Sequence, residues 1–293
     1  IQCCLVGSEM CIRDSTIMND QLLPPQEFLD LQVLWFLFQF SPAYIAGEYN
    51  SEHFDLRLVD LFNQNGNYTR DDLEYVLDLH HERLADVLPM YSILEERGQV
   101  ELTTTPYYHP IMPLLMMDGW TFEDGIYVGK DSWPEDVEMH LNKGVSLFQQ
   151  HTGVVPSGMW PSEQAVSPAM VQPVSNVGID WMVSDEMILE QSKDMNDLNP
   201  NVEDPRVLFT PWKVTGEEGG EVSIIFRDRV ISDRIAFEYG SMEPVDAVDD
   251  FLGYMDSVRQ DLLDLGENPS EHLITVALDG ENWMFMSEFQ QND

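Results

Sequence analysis

Two short stretches of the chain carry residue types that can do chemistry. The first, Pro156-Ser-Gly-Met-Trp-Pro-Ser-Glu163, is an apolar run that ends in a carboxylate, with Trp160 three positions ahead of Glu163 and Pro161 stiffening the link. An indole offers a face to the apolar side of a pyranose ring, and a carboxylate can act at an anomeric carbon. The plainer reading of such a Glu is a solvated strand-end residue or a helix N-terminal charge. The second stretch, Asp279-Gly280-Glu281-Asn282, repeats the pattern after the nearly apolar run Leu273 to Leu278. Two carboxyls about 5 Å apart break a glycosidic bond with retention, one attacking the anomeric carbon and the other protonating the leaving oxygen. In that chemistry Glu163 is the expected nucleophile. Asp279, at the end of an apolar strand and beside Glu281, is the expected acid and then base.

Residues so far apart in the chain meet only if a sheet brings them together. Strands are expected at 99–104, 157–160, 179–183, 222–226 and 273–278, the last fully buried, alternating mostly with helices. That order argues for an α/β fold with a parallel sheet. Each expected strand empties into polar residues: His109, Glu163, Asp185 with Glu186, Arg227 with Asp228, and Asp279 with Glu281. In a barrel such ends share one face, where active sites lie, and convergent acids raise the pKa of at least one carboxyl. The loop Thr105-Pro-Tyr-Tyr-His-Pro-Ile111 is rigid and aromatic, and its His109 is suited either to bind a sugar hydroxyl or simply to pack.

The helices follow from apolar period and end signals. Gln26 to Phe40 is apolar and closed by Ser41-Pro42, too short for a membrane span. Arg70 to Arg97 has Thr69 as N-cap, acids in its first turn and Gly98 at its end. Pro134 to Gln150, Ser167 to Asn176 and Pro244 to Leu265 complete the set, with a loop excursion over residues 190–205. His80 and His81 are adjacent on a helix and point in different directions, which favours packing or surface roles over a metal pair.

At 293 residues, 43% hydrophobic and 11% aromatic, the chain can bury a large core. Its charge is extreme, 53 acidic against 14 basic residues for a net −39, with the acids dispersed rather than gathered in a tail. A nucleic-acid groove or an anionic membrane would repel such a surface. Adaptation to high salt fits it, since cations screen the self-repulsion, and an acid-rich mesophilic protein is the alternative. All three cysteines lie in the first eleven residues, so neither a disulfide framework nor a Cys metal site is expected to support the fold. Residues 1–15 have neither the basic start nor the apolar run of a signal peptide, and Leu5 to Ser15 resembles a translated sequencing-adapter artefact. With that segment set aside, and with Phe289 to Asp293 stopping without a terminating element, a fragment is expected, its residues 16–293 forming one partial catalytic domain.

Several motifs together resemble glycoside hydrolase family 57, most of all its α-amylase and amylopullulanase-like branch. They are Gly98-Gln-Val-Glu-Leu-Thr-Thr-Thr-Pro-Tyr-Tyr-His-Pro-Ile111, Gly158-Met-Trp-Pro-Ser-Glu163, Trp181-Met-Val-Ser-Asp-Glu186, Phe226-Arg-Asp228 with Ser232-Asp233, and Leu278-Asp-Gly-Glu-Asn282. The resemblance implies an incomplete seven-stranded (β/α) barrel and retaining action on α-glucans, with Glu163 as nucleophile and Asp279 as acid/base. It places Trp160, Glu281 and His109 in the sugar site. With the strand-end residues Asp185, Arg227 and Asp228, these make up the expected substrate-binding set. No cofactor is expected, the expected partner is the α-glucan, and neither nucleic acid nor membrane is. The family habit and the lack of cysteines point to the cytoplasm. The family's His-x-His-Gln-Pro motif and its C-terminal helical region have no counterpart in this sequence, which leaves a barrel with an open edge.

Three other readings remain open. A 4-α-glucanotransferase would use the same pair and differ in what attacks the intermediate. A polysaccharide deacetylase wants an Asp with a His-x-x-x-His pair, a spacing the seven histidines do not offer. A glucan-binding module without turnover would use Trp160, Tyr107 and Tyr108 as stacking faces.

Overall fold

The computed structural model describes residues 23–41, 45, 55–116, 120–121, 127–128, 132–216 and 218–280. Glu281, and the segment 1–15 read above as an artefact, lie outside them. The chain divides into two compact units, the second beginning at Tyr91.

The first unit is helical. Helix α1 spans Pro25–Leu37, α2 Leu56–Gln64, and α3 begins at Arg70 and runs to Glu96. Pro25 opens α1 at a position whose N–H has no helical partner, and Asp55 caps α2 by accepting from the N–H groups of Arg57 and Leu58. Thr69 and Asp72 form a reciprocal cap on α3, the Thr hydroxyl accepting from the Asp72 N–H and the Asp carboxylate from the Thr69 N–H. Val33, Leu37, Leu58, Leu61, Tyr68, Val76 and Leu79 bury one core among these helices. His80 packs edge-on against Phe36 and Phe40, the packing role expected for it, and desolvation followed by the charge of His81 lowers its pKa.

The second unit is an α/β layer. Its strands are β1 (Thr103–Thr104), a hairpin of β2 (Trp120–Thr121) and β3 (Tyr127–Val128), then β4 (Gly158–Met159), β5 (Trp181–Asp185), β6 (Trp212–Thr215) and β7 (Glu221–Arg227). The main sheet has the order β1-β4-β5-β7-β6, parallel except for β6, which pairs antiparallel with β7. Helices α4 (Met112–Met116), α5 (Pro134–Thr152), α6 (Pro168–Asn176), α7 (Glu186–Gln191), α8 (Pro205–Leu208), α9 (Arg229–Asp233) and α10 (Pro244–Asp264) accompany it. Four of them begin with Pro, and α5 ends where Gly153 turns left-handed at φ 73°.

Met159, Met170, Val174, Ile179, Met182, Val222, Ile224 and Phe226 form the heart of the core. Three successive residues of β5, Met182, Val183 and Ser184, are buried, so both faces of this central strand are covered. Strand β7 instead alternates, burying Val222, Ile224 and Phe226.

The sheet corrects several expectations. The strands at 99–104 and 157–160 shrink to two residues each, the first by losing its start and the second a residue at either end. The stretch 273–278 is no fully buried strand: Thr275 makes one parallel bridge to Arg227, and Leu273 and Val276 are 46% and 38% exposed. Strand β6, which the sequence reading omitted, pairs with β7 instead. The described sheet is an open section of a barrel, in keeping with the open-edged barrel expected.

At Gly158 the backbone runs close against Trp181. A Cβ there would fall 2.4 Å from the Trp181 ring and 2.8 Å from the Thr103 methyl. The Trp181 ring is held by its own hydrogen bond to Glu101, 2.8 Å, and cannot swing aside freely. Gly158→Ala is therefore expected to destabilise the protein by about 1–3 kcal/mol, a cost read as a lowered midpoint in thermal or denaturant unfolding.

Candidate active site

The register of the parallel sheet builds the site. Pairing β5 with β7 sets Asp185 directly beside Arg227 at the carboxyl ends of both strands. The Arg227 guanidinium donates to Asp185 Oδ2 at 3.1 Å, makes a short contact with Asp233 of α9, and donates through Nε to the carbonyl of Ala277 at 2.9 Å. Asp185 also caps α7 by accepting from the Met187 N–H.

After β4 the chain leaves Trp160 and Pro161 and makes a tight turn over Ser162–Gln164. Glu163 and Gln164 both adopt left-handed backbone, φ 55° and 56°, and His109 across from them does the same at 53°. Such conformations cost non-glycine residues on the order of 1–3 kcal/mol each and persist only where neighbours impose them. Here Gln164 N–H bonds back to Pro161, and Ser184 Oγ on β5 donates to the Gln164 carbonyl at 2.8 Å. His109 Nε2 lies 3.2 Å from Glu163 Oε1, and its Nδ1 lies 3.2 Å from Thr105 Oγ1. The imidazole is thus fixed at both nitrogens, with the tautomer deciding which donates.

A cavity of about 430 Å³ opens at these strand ends. Trp160, Glu163, Asp185, Arg227 and Asp279 line it, so five of the expected site residues share one wall system. His109 reaches it through its contact with Glu163. Asp228 does not: it is fully buried, caps α9 through the Ile231 N–H and accepts from Tyr254 Oη at 2.6 Å. Its expected substrate contact is replaced by a structural one, because alternation along the chain turns its side chain away from that of Arg227. Glu281, the remaining expected member, lies outside the described residues.

Lining residues outside the expected set include Gln164, Met187, Arg229, Asp233 and Phe237. Phe237 is 73% exposed and stands on a π-helical turn, Arg234–Glu238, in which the Tyr239 N–H reaches back five residues to the Arg234 carbonyl. Arg234 and Tyr239 both bind Asp250 on α10, which fixes that turn. The Ser232-Asp233 pair carried a signal for Asp233, whereas nothing in local pattern announces a π-turn. Among the described residues no group of three His, Cys, Asp or Glu is arranged to hold a metal, and no helix is long and apolar enough to cross a membrane.

A parallel α/β sheet with an aromatic and several carboxyls at its carboxyl ends has the layout of a barrel-type enzyme site. The model of glycosyl hydrolase family 57 matches residues 24–293, and the chain belongs to this family. Over 95 residues it is 26% identical to Alpha-amylase 1 of Dictyoglomus thermophilum, a match covering 32% of this chain and 11% of that protein. Among solved structures, the alpha-amylase AmyC of Thermotoga maritima superposes with a TM-score of 0.53 at 15% identity, covering 88% of this chain and 54% of that one. The 4-alpha-glucanotransferase of Thermococcus litoralis does so at 0.50 and 18% identity, covering 74% and 28%. The chain therefore spans about half the length of the first of these structures and less of the other two proteins. The structural likenesses, at such identities, establish the fold: part of an α/β barrel.

Glu186, just after β5, has its pKa raised, chiefly by burial. Desolvation raises its pKa first, and the charges of Asp228 and Asp185 add to this, against a hydrogen bond from the Arg229 N–H. A carboxyl with a higher pKa folded than unfolded holds its proton more tightly in the native state. Folding stability then falls as pH rises from the ordinary glutamate range through the raised value. Glu186→Gln keeps an oxygen for Arg229 and removes that fall. Its melting temperature relative to the unsubstituted protein is expected to climb between mildly acidic and mildly alkaline buffer.

Proposed function

We propose that the protein is a retaining glycoside hydrolase acting on α-glucans, with Glu163 as nucleophile and Asp279 as acid/base. The observation that carries this reading is that these two carboxyls, distant in sequence, line one cavity together with Trp160. Retention asks for two carboxyls on either side of one glycosidic bond and an apolar face for the ring. Family membership favours the same chemistry, and the matched proteins named as an alpha-amylase and a glucanotransferase favour α-glucan as its object.

In this mechanism Glu163 attacks the anomeric carbon while Asp279 gives its proton to the departing oxygen. A water or a sugar hydroxyl, deprotonated by Asp279, then releases the glycosyl group from Glu163. His109, fixed by Thr105, orients the attacking carboxylate. Trp160 supplies one apolar face, and Phe237 a second.

Hydrolysis and transfer share every step but the last, and the matched 4-alpha-glucanotransferase keeps transfer as the second reading. Incubation with maltotriose separates them: glucose and maltose alone mean hydrolysis, and longer oligomers mean transfer. Glu163→Gln is expected to reduce turnover of maltodextrin to background with binding retained, and unaffected turnover would remove Glu163 from its role. Asp279→Asn is expected to cost about 10²–10⁴-fold in kcat, with partial recovery on substrates whose leaving group needs no proton.

A further inference from the structure

The segment that ends in Asp279 is held in an unusual way. A barrel strand presents its last residue by laddering with its neighbours, but residues 273–280 contribute one isolated bridge, Thr275 with Arg227. The Asp228 N–H donates to the Thr275 carbonyl at 2.9 Å. Beyond that point both backbone polar groups of Ala277 are met by side chains. The Ala277 N–H donates to Ser232 Oγ at 3.2 Å, and the Ala277 carbonyl accepts from Arg227 Nε at 2.9 Å. Ser232 is fully buried, and Ala277 is buried with it. The other two arms of Arg227 are taken by Asp185 and Asp233. Three of the five guanidinium N–H donors are thus engaged within the protein.

We propose that Arg227 and Ser232 are positioning residues for Asp279, a side-chain clamp on Ala277 that replaces strand pairing and fixes where the acid stands. This rests on the acid/base reading of Asp279 above. The clamp lies two residues before Asp279, so losing either grip frees the carboxyl to move by a fraction of its own length. Displacements on the order of 1 Å cost about a hundredfold in a positioned reaction. Arg227 also ties the segment to the ends of β5 and α9, so its grip is referred to the same frame that carries Asp185.

The test compares Ser232→Ala and Arg227→Lys with the unsubstituted protein in two measurements. The first is hydrogen exchange, followed by mass spectrometry, of a peptide covering 273–280. Faster exchange there in Ser232→Ala, with the rest of the sheet unchanged, is expected, and unchanged exchange overturns the clamp. Exchange needs no activity, so a protein that cleaves no α-glucan would sink the functional reading and still leave the clamp to be judged. The second measurement is kcat and KM on maltodextrin and on α-maltosyl fluoride, whose leaving group departs without a proton. Each variant is expected to lose about ten- to a hundredfold in kcat on maltodextrin, with KM changed less than about threefold, and to lose far less on the fluoride. Equal losses on both substrates, or a loss confined to KM, overturn the positioning role, since general weakening or lost sugar binding gives those patterns. Ser232→Ala removes one hydroxyl and keeps the arginine network, so it keeps the test decisive if Arg227→Lys fails to fold.

Discussion

The arginine at the end of β7 is the constraint on which this structure turns. The chain carries net charge −39, yet its fold gathers Asp185, Asp233, Glu163 and Asp279 around one cavity. Carboxylates drawn together in a partly dry space repel and resist ionisation. Arg227, with its side chain only 14% exposed, sits against two of them and neutralises the floor of the site. Register makes this arrangement available. Five consecutive pairs between β5 and β7 place Asp185 and Arg227 opposite each other, and a slip of one residue would aim Arg227 at the other face.

The same constraint explains why a dispersed acidic surface and a concentrated acidic site coexist. Surface acids such as Glu27 and Asp249 face water, where screening keeps their interactions weak. Those at the strand ends are each assigned a partner. Asp185 has Arg227 and the first turn of α7, Asp228 has Tyr254 and the first turn of α9, and Glu163 has His109. Glu186 has the Arg229 N–H but no cation within ion-pair distance among the described residues, and its carboxyl is the one whose pKa rises. Tyr254 is raised as well, by burial and then by its bond to Asp228, so its phenol stays a donor to that buried carboxylate.

Much of this was legible in the sequence because strand ends and helix starts carry strong local signals. Prolines mark the starts of α5, α6 and α10, and Thr69 with Asp72 marks that of α3. Strand extents were read too long, because an apolar run such as 273–278 does not say whether a neighbour is present to ladder with it. Strand β6 was missed although the turn between Gly216 and Gly220 is a hairpin signal. Its four residues alternate only weakly, and Gln172, from α6, holds the turn through the Glu218 and Gly220 N–H groups. Asp228 was misplaced for a simpler reason. Arg227 and Asp228 are adjacent, and neighbours at the end of a strand point to opposite sides. Reading both into one cavity ignores that geometry. Phe237 was invisible because a π-turn depends on tertiary anchors, here Asp250 gripping Arg234 and Tyr239.

Strain and rigidity belong to one design at the mouth of the sheet. Three non-glycine residues, His109, Glu163 and Gln164, hold left-handed backbone within one small region. Glycine at any of them would relieve the strain and loosen the turn, so the sequence spends stability to gain a fixed direction. The fully buried Met159 and Met182 beneath, and the Ser184 hydroxyl above them on the Gln164 carbonyl, oppose relaxation of that turn. The Asp279 side of the cavity uses the reverse strategy. Among the described residues its backbone carries no left-handed residue and little ladder, and it is steadied by side chains from β7 and α9. One carboxyl is thus aimed by strained backbone and the other by borrowed hydrogen bonds. One support on each side comes from adjacent strands, Ser184 of β5 on the Glu163 turn and Arg227 of β7 on the segment before Asp279.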